Sequence, residues 1–408
     1  MKRHASIIIT LLAGLFLIGC QFETTQFTSP KLSSDRLTEI DTMIDGYVDS
    51  GKLSGATVLI SRHNQIAYLK SYGYRDVEES IPMENDCIYG IASMTKLVTS
   101  VAALILYEKG CYRLNDQLSD YLPEFKNMRV YVDQADSNSV KEASNPILIR
   151  DLFRHTSGIK YDTAEYAEAG AIFSQVDSLA EFVQKISTVP LYYEPGSTFE
   201  YGFSTDILGF LVEKLSGKTL REFFVEKIFL PLEMNDTDFY VPQDKKHRLV
   251  NYYHYSNDSL VLRETYDNSA YKQLPKAYSG GGGLVSTVND YAKFLQMLLN
   301  YGKYNESRVL SRKTVELMKT DQLQNVDEKG FLSNGMGHGL GVGLIVDAGQ
   351  YGELISDGTL FWQGVRNTDF WIDYRENMFG ILMTQMSPFY YLPYMDEYKI
   401  LTYQAIED

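Results

Sequence analysis

Leu37, Ile40, Ile44, Tyr47 and Val48 recur at helical spacing behind Ser33, Ser34 and Asp35, which predicts an amphipathic helix running to about Ser50. Two strand-like runs follow, ATVLISR and QIAYLKSYG, around the turn-forming pair His63-Asn64. A matching pair stands near the other end, DFWID (369–373) and MFGILMTQ (378–385), joined through Tyr374-Arg375-Glu376-Asn377, and residues 392–407 read as helical again. Between these ends the periodicity is mostly helical, with segments near 94–109, 178–187, 205–215, 220–228 and 288–300. Strands, then helices, then strands predict one antiparallel sheet built from both ends of the chain and flanked by helices. This is an α/β arrangement of the α+β type, with a helical subdomain inserted over about 92–280. Residues 128–147 and 156–176 are the long loops, and loops of that length in a compact domain often form binding-site walls.

Within this pattern IASMTK (91–96) sets a serine three positions before a lysine. Ser-x-x-Lys occurs three times, at Ser93, Ser157 and Ser269, and context separates them. Gly158 follows the second and Pro275 lies just beyond the third, so neither opens a convincing helix. After Ser93 comes MTKLVTSVAALILYEKG, apolar nearly all round and stopped by Gly110, which is the pattern of a buried helix. A helix brings Ser93 and Lys96 onto one face. A lysine facing a dry interior has its charged form disfavoured, which suits it to act as a base. The positive end of the helix dipole favours negative charge developing near Ser93. On spacing alone the pair fits better as a simple N-cap and a solvated lysine of the first turn.

The first residues, MKRHASIIITLLAGLFLIGC, add an address. Two cations, an apolar run from Ile7 to Ile18 and a small residue before Cys20 read as an export signal, and Leu17-Ile18-Gly19-Cys20 resembles the bacterial lipoprotein box. The expected organisation is a leader with lipobox over 1–20, a tether over 21–33 and one enzyme-sized domain over 34–408. The expected location is the cell envelope, on a lipid attached to Cys20. Removing residues 1–19 leaves 36 cations against 53 acids. So acidic a body excludes nucleic acid as a partner and places membrane contact on the lipid. Cys87 and Cys111 are expected to stay unpaired, because the sixteen-residue helix predicted between them spans about 24 Å. The six histidines form no His-x-x-x-His pair, so neither a metal nor another cofactor is expected. Ser279 to Gly283 lacks the Gly-Lys-Ser/Thr of a phosphate loop and reads as a backbone bend, followed by a capping box of Thr287 and Asp290. His155 has no Gly-x-Ser-x-Gly elbow to serve and reads as a turn residue.

IASMTK, LFRHTSGI (152–159), EPGSTFEYGFSTDILG (194–209), GGGGLVSTVNDYAKFLQML (280–298) and FWQGVRNTDFWID (361–373) occur in an order that resembles the serine β-lactamase and penicillin-binding-protein superfamily. The resemblance covers nearly the whole mature chain and is closest to the esterases with the class C β-lactamase fold, of the family VIII type. It implies Ser93 as the acylated nucleophile, Lys96 as its proton acceptor, and Tyr201, at the start of Tyr201-Gly202-Phe203, as the proton shuttle. It also implies an oxyanion hole made by the amides of Ser93 and Val365.

Two departures bear on substrate. Phe203 stands where that superfamily has an asparagine, and Trp362-Gln363-Gly364 stands where the β-lactamases have Lys-Thr-Gly. Trp-x-Gly resembles the esterase branch, although that branch usually has glycine in place of Gln363. Without the cation a buried anionic substrate is poorly compensated. Arg366 is a candidate replacement anchor, against the simpler reading of a strand residue facing solvent. Phe203, Trp362, Gln363, Gly364 and Arg366 are therefore the candidate substrate contacts. The resulting expectation is a serine hydrolase working through an acyl-enzyme on small esters or amides. The alternatives are a β-lactamase, a D-amino-acid-specific peptidase acting on cell-wall peptides, or a non-catalytic wall-binding protein of the same fold.

Overall fold

The computed structural model describes residues 30–136, 138–161, 171–326 and 328–408. The leader, Cys20 and most of the tether lie outside the described residues. Helix α1, Ser34–Asp49, buries Leu37, Ile40 and Ile44 on one face. The hairpin of β1 (Gly55–Arg62) and β2 (Gln65–Asp76) turns at His63 and Asn64. Both turn residues have positive φ, 53° and 63°, the twist that a two-residue hairpin turn requires. The short strand β3 (Ile81–Pro82) pairs with β2, and the chain then leaves the sheet.

It returns as β4 (Met336–His338), β5 (Gly343–Ile345), β6 (Leu360–Gly364), β7 (Thr368–Asp373) and β8 (Met378–Met383). The strand order is β4-β5-β6-β7-β8-β1-β2-β3, antiparallel at every pairing. The two halves of the chain join where β1 meets β8, from Thr57 opposite Met383 to Arg62 opposite Met378. This is the sheet from both ends that the pattern of strands implied.

All eight residues of β1 are buried, so the sheet is covered on both faces. Val58 and Ile60 pack with α1, Trp371, Tyr394 and Tyr398 on one side. Leu59, between them, points to the opposite core of Val98, Phe370 and Ile381. The first layer is completed by the helix Tyr394–Tyr403. The second is formed by α2 (Thr95–Glu108), α3 (Ser204–Ser216) and α4 (Val288–Leu299). Twelve consecutive residues of α2, Thr95 to Leu106, are buried.

The middle of the chain is less uniformly helical than its periodicity implied. The long loop over 128–147 contains a hairpin, Arg129–Tyr131 with Val140–Glu142. A second hairpin, Tyr252–Ser256 with Ser259–Glu264, turns at Asn257 and Asp258, both at positive φ, and pairs with Met386–Ser387. The helix expected over 220–228 begins as α-helix, Leu220–Phe224, and continues as a π-helical turn, Val225–Phe229. Cys87 and Cys111 are both free thiols. Among the described residues no helix is long and apolar enough to cross a membrane, and no group of three or more His, Cys, Asp or Glu is arranged to hold a metal.

Candidate active site

The turn carrying Ser93 is clamped on both sides. Tyr89 and Gly90 pair with Ser286 and Val285, and the Ile91 amide donates to the Leu284 carbonyl at 3.0 Å. Ala92 then takes a left-handed conformation, φ 46°. An alanine rarely adopts it, and such strain persists only where the surroundings fix it. A single 3-10 turn, Ala92–Met94, lifts Ser93 to the half-buried mouth of α2.

Lys96, one turn further and only 2% exposed, extends its Nζ to three oxygens. These are the Gly281 carbonyl at 2.6 Å, the Tyr161 hydroxyl at 2.8 Å and Ser93 Oγ at 3.4 Å. Its Nζ also lies 4.6 Å from the centre of the Tyr201 ring. The Tyr201 hydroxyl accepts a hydrogen bond from the Trp362 indole at 3.3 Å. Ser93, Lys96, Tyr201 and Trp362 therefore meet in one place. The geometry adds Tyr161, which the motif order did not single out. Burial first, then the neighbouring Tyr201 and Asp206, push the Tyr161 phenol well above the usual range, so it is a protonated partner for the lysine at neutral pH.

Asp206, on α3, supplies the charge behind Lys96. Its buried carboxylate accepts from Ser279 Oγ at 2.7 Å and from the Gly281 amide at 2.8 Å. Burial pushes this carboxyl up, against the pull of Lys96. Gly281 thus bridges the two side chains, its N–H on Asp206 and its carbonyl accepting from Lys96. A Cβ at Gly281 would stand 2.4 Å from Asp206 Oδ2, so the bend of Ser279 to Gly283 is tied to this carboxylate. Asp206→Asn is expected to lower kcat about tenfold. It should also alter the acid limb of the kcat/KM profile, because the Asp206 carboxyl that burial pushes up no longer titrates there. A rate profile from pH 5 to 9 checks both effects, and an unmoved limb would reduce Asp206 to a purely structural residue.

Strand β6 closes the site from the other side. A Cβ on Gly364 would meet the Ile91 carbonyl at 2.6 Å and Ala92 Cβ at 3.2 Å. That close approach, held by Thr368 Oγ1 donating to the Ile91 carbonyl at 3.3 Å, sets Val365 at the lip of the cleft beside Ser93. Gln363 also lines the cleft. Its side chain reaches Asp369, which faces it across the strand pair.

Two candidate contacts lie elsewhere than the sequence suggested. Phe203 is fully buried under the Tyr161 ring, centroids 4.6 Å apart, and lines neither side of the cleft. It supports Tyr161 rather than meeting substrate. Arg366 is not a solvent-facing strand residue. It sits in the turn after β6, stacked over Tyr252 at 4.3 Å and paired to Glu264 at 2.6 Å. It borders the cleft, but its charge is already neutralised.

Behind Tyr201 and Trp362 lie two buried histidines. His155, at φ 54°, places its ring 4.8 Å from Tyr201. His338 is 5.4 Å from Trp362, and its Nδ1 bonds to the Gly339 carbonyl at 2.9 Å. Burial pushes His338 down to about 4 and His155 well below the usual range. Between pH 6.5 and about 4 the unfolded chain binds a proton at His338 that the folded chain refuses, so stability must fall as pH drops through that window. The expected loss from His338 is roughly 3 kcal/mol, with His155 adding in the same direction. Thermal midpoints measured from pH 7 to 4 should fall less steeply for His338→Gln.

The family model described as Beta-lactamase matches residues 40–401. The chain belongs to the β-lactamase family. It is a serine hydrolase of that family. An uncharacterised protein of Mycobacterium tuberculosis is 31% identical over 355 residues, covering 83% of this chain and 88% of the relative. The lovastatin esterase of Penicillium rubens is 28% identical over 371 residues, 84% of this chain and 91% of that protein. Among solved structures, EstCE1, a hydrolase with promiscuous acyltransferase activity, superposes with a TM-score of 0.75 at 23% identity. That match covers 92% of this chain and 99% of EstCE1, and the likeness is one of fold.

Within this β-lactamase-family site, Trp362 presents an indole to the cleft rather than a cation. Tyr161 carried a faint signal in the sequence. It lies in the loop expected to wall the site, just after LFRHTSGI, but its distance from Lys96 is set by packing alone.

Proposed function

We propose that the protein is a serine esterase in which Ser93 attacks the ester carbonyl while Lys96 takes its proton. The tetrahedral oxyanion is held by the amides of Ser93 and Val365. It collapses with cleavage of the C–O bond, and the departing alkoxide receives a proton relayed through the Tyr161 and Tyr201 hydroxyls. Water, deprotonated by the same groups, then attacks the acyl-enzyme and frees Ser93. The observation carrying this reading is the convergence of Ser93, Tyr161 and Gly281 on one buried lysine. The esterase name of the Penicillium rubens relative supports ester as the substrate class. The pairing of Arg366 with Glu264 argues against β-lactams and peptide carboxylates, which need an available cation. Export and lipid attachment at Cys20 belong to the same proposal and rest on the leader sequence.

The test is a fluorophosphonate probe followed by peptide mapping. A single adduct on Ser93, formed more slowly while a p-nitrophenyl ester is present in excess, is the expected result. No adduct at Ser93, with folded protein, would refute the mechanism.

A further inference from the structure

The cleft has two lobes that share Ser93, Tyr201 and Val365 and differ in chemistry. One, of about 510 Å3, is bordered by Tyr161, Asp206, Arg366 and the glycines 281–283. The other, of about 440 Å3, is walled by Phe331, Tyr351, Phe361, Trp362, Phe389 and Tyr390, and among the described residues no charged one lines it. Building on the esterase reading above, we infer that the substrate is an uncharged ester bearing a bulky apolar group that fills this aromatic lobe.

Three observations carry the inference. The lobe is continuous with the nucleophile, since Ser93 and Val365 form part of its wall. Its aromatic faces are braced against one another in advance of any ligand. Trp362 lies 5.4 Å from Tyr201 and 6.3 Å from both Phe331 and Phe361, so little ordering remains to oppose binding. At the rim Phe331 and Phe389 stand 64% and 44% exposed. Apolar groups that far out gain from being covered, and a ligand reaching the rim covers them. An acetyl group would leave most of the lobe empty, whereas its volume lies in the range of about 300–1,000 Å3 that accepts drug-sized ligands. An anionic group filling the aromatic lobe would find no cation among its described lining residues, since Arg366 borders the other lobe and is held by Glu264.

The test is kcat/KM over two homologous series, p-nitrophenyl acyl esters from acetate to octanoate and aryl acetates from phenyl to biphenylyl, with a p-nitrophenyl hemisuccinate as the charged control. At least one series should rise by about fourfold per buried methylene or its equivalent over the first members. The hemisuccinate should fall at least tenfold below the neutral ester of equal length. Phe331→Ala and Phe389→Ala, both changes at exposed positions that leave the core intact, should each lower the large-to-small ratio about tenfold. Acetate hydrolysis with no rise in either series would overturn the inference while leaving the esterase reading standing. Failure of every ester, together with an unlabelled Ser93, would overturn both.

Discussion

Ser93→Ala is expected to lower ester hydrolysis by roughly 10⁴-fold or more, the scale seen when a covalent nucleophile is removed from a machinery that acts as a unit. The loss should be almost purely catalytic. The Ser93 hydroxyl makes one long bond, 3.4 Å to Lys96, and that lysine keeps its shorter bonds to Gly281 and Tyr161. Ser93 lies in a half-buried turn rather than in the core, so the thermal midpoint should stay within about 2 °C of the parent. Initial rates on a p-nitrophenyl ester, paired with a melting curve, separate the two effects. Undiminished turnover in a well-folded Ser93→Ala protein would exclude the acyl-enzyme route.

Gly364→Ala should cost about 10²- to 10³-fold in kcat and some 1–3 kcal/mol in stability. The reason is distance, since the new methyl group would stand 2.3 Å from Thr368 Oγ1 and 2.6 Å from the Ile91 carbonyl. The threonine side chain can rotate away, whereas the carbonyl belongs to the clamped turn before Ser93 and has nowhere to go. The strand must retreat, carrying the Val365 amide away from the place proposed for the oxyanion. A fall in kcat with KM nearly unchanged is the expected signature, because the lost interaction is made in the transition state. A large rise in KM alone would instead place the damage in substrate binding.

The elements nearest the ends of the chain were legible because their patterns are strong. The helical spacing of Leu37, Ile40 and Ile44 and the turn pair His63-Asn64 lead directly to α1 and the first hairpin. The hairpin around Asn257 and Asp258 was hidden by its composition, since YYHYS and SLVLRE hold few of the apolar alternations that mark a buried strand. At the site, Ser93 and Lys96 could be placed together because three helical positions fix their separation. Tyr161, bonded to Lys96, packs edge to face against Phe203, and no local rule encodes those contacts. The same packing explains the misplacement of Phe203, whose position suggested the cleft and whose side chain lies in the core. Arg366 was read without Glu264, its partner from a hairpin roughly a hundred positions earlier.

The seam between β1 and β8 also sets a schedule for the newborn chain. Residues 55–62 leave the ribosome long before residues 378–383, which must pair with them. At about 5–20 residues per second the interval is some 15–60 s. Throughout it β1 has an open edge and a buried-type sequence, a combination prone to mispairing. Over most of that interval Ser93 also lacks Trp362 and Val365, which arrive on the late strands. The proposed nucleophile is therefore synthesised early and stays without the second amide proposed for the oxyanion until the end, so a stalled or clipped chain lacking β6 would carry the serine without the rest of its cleft.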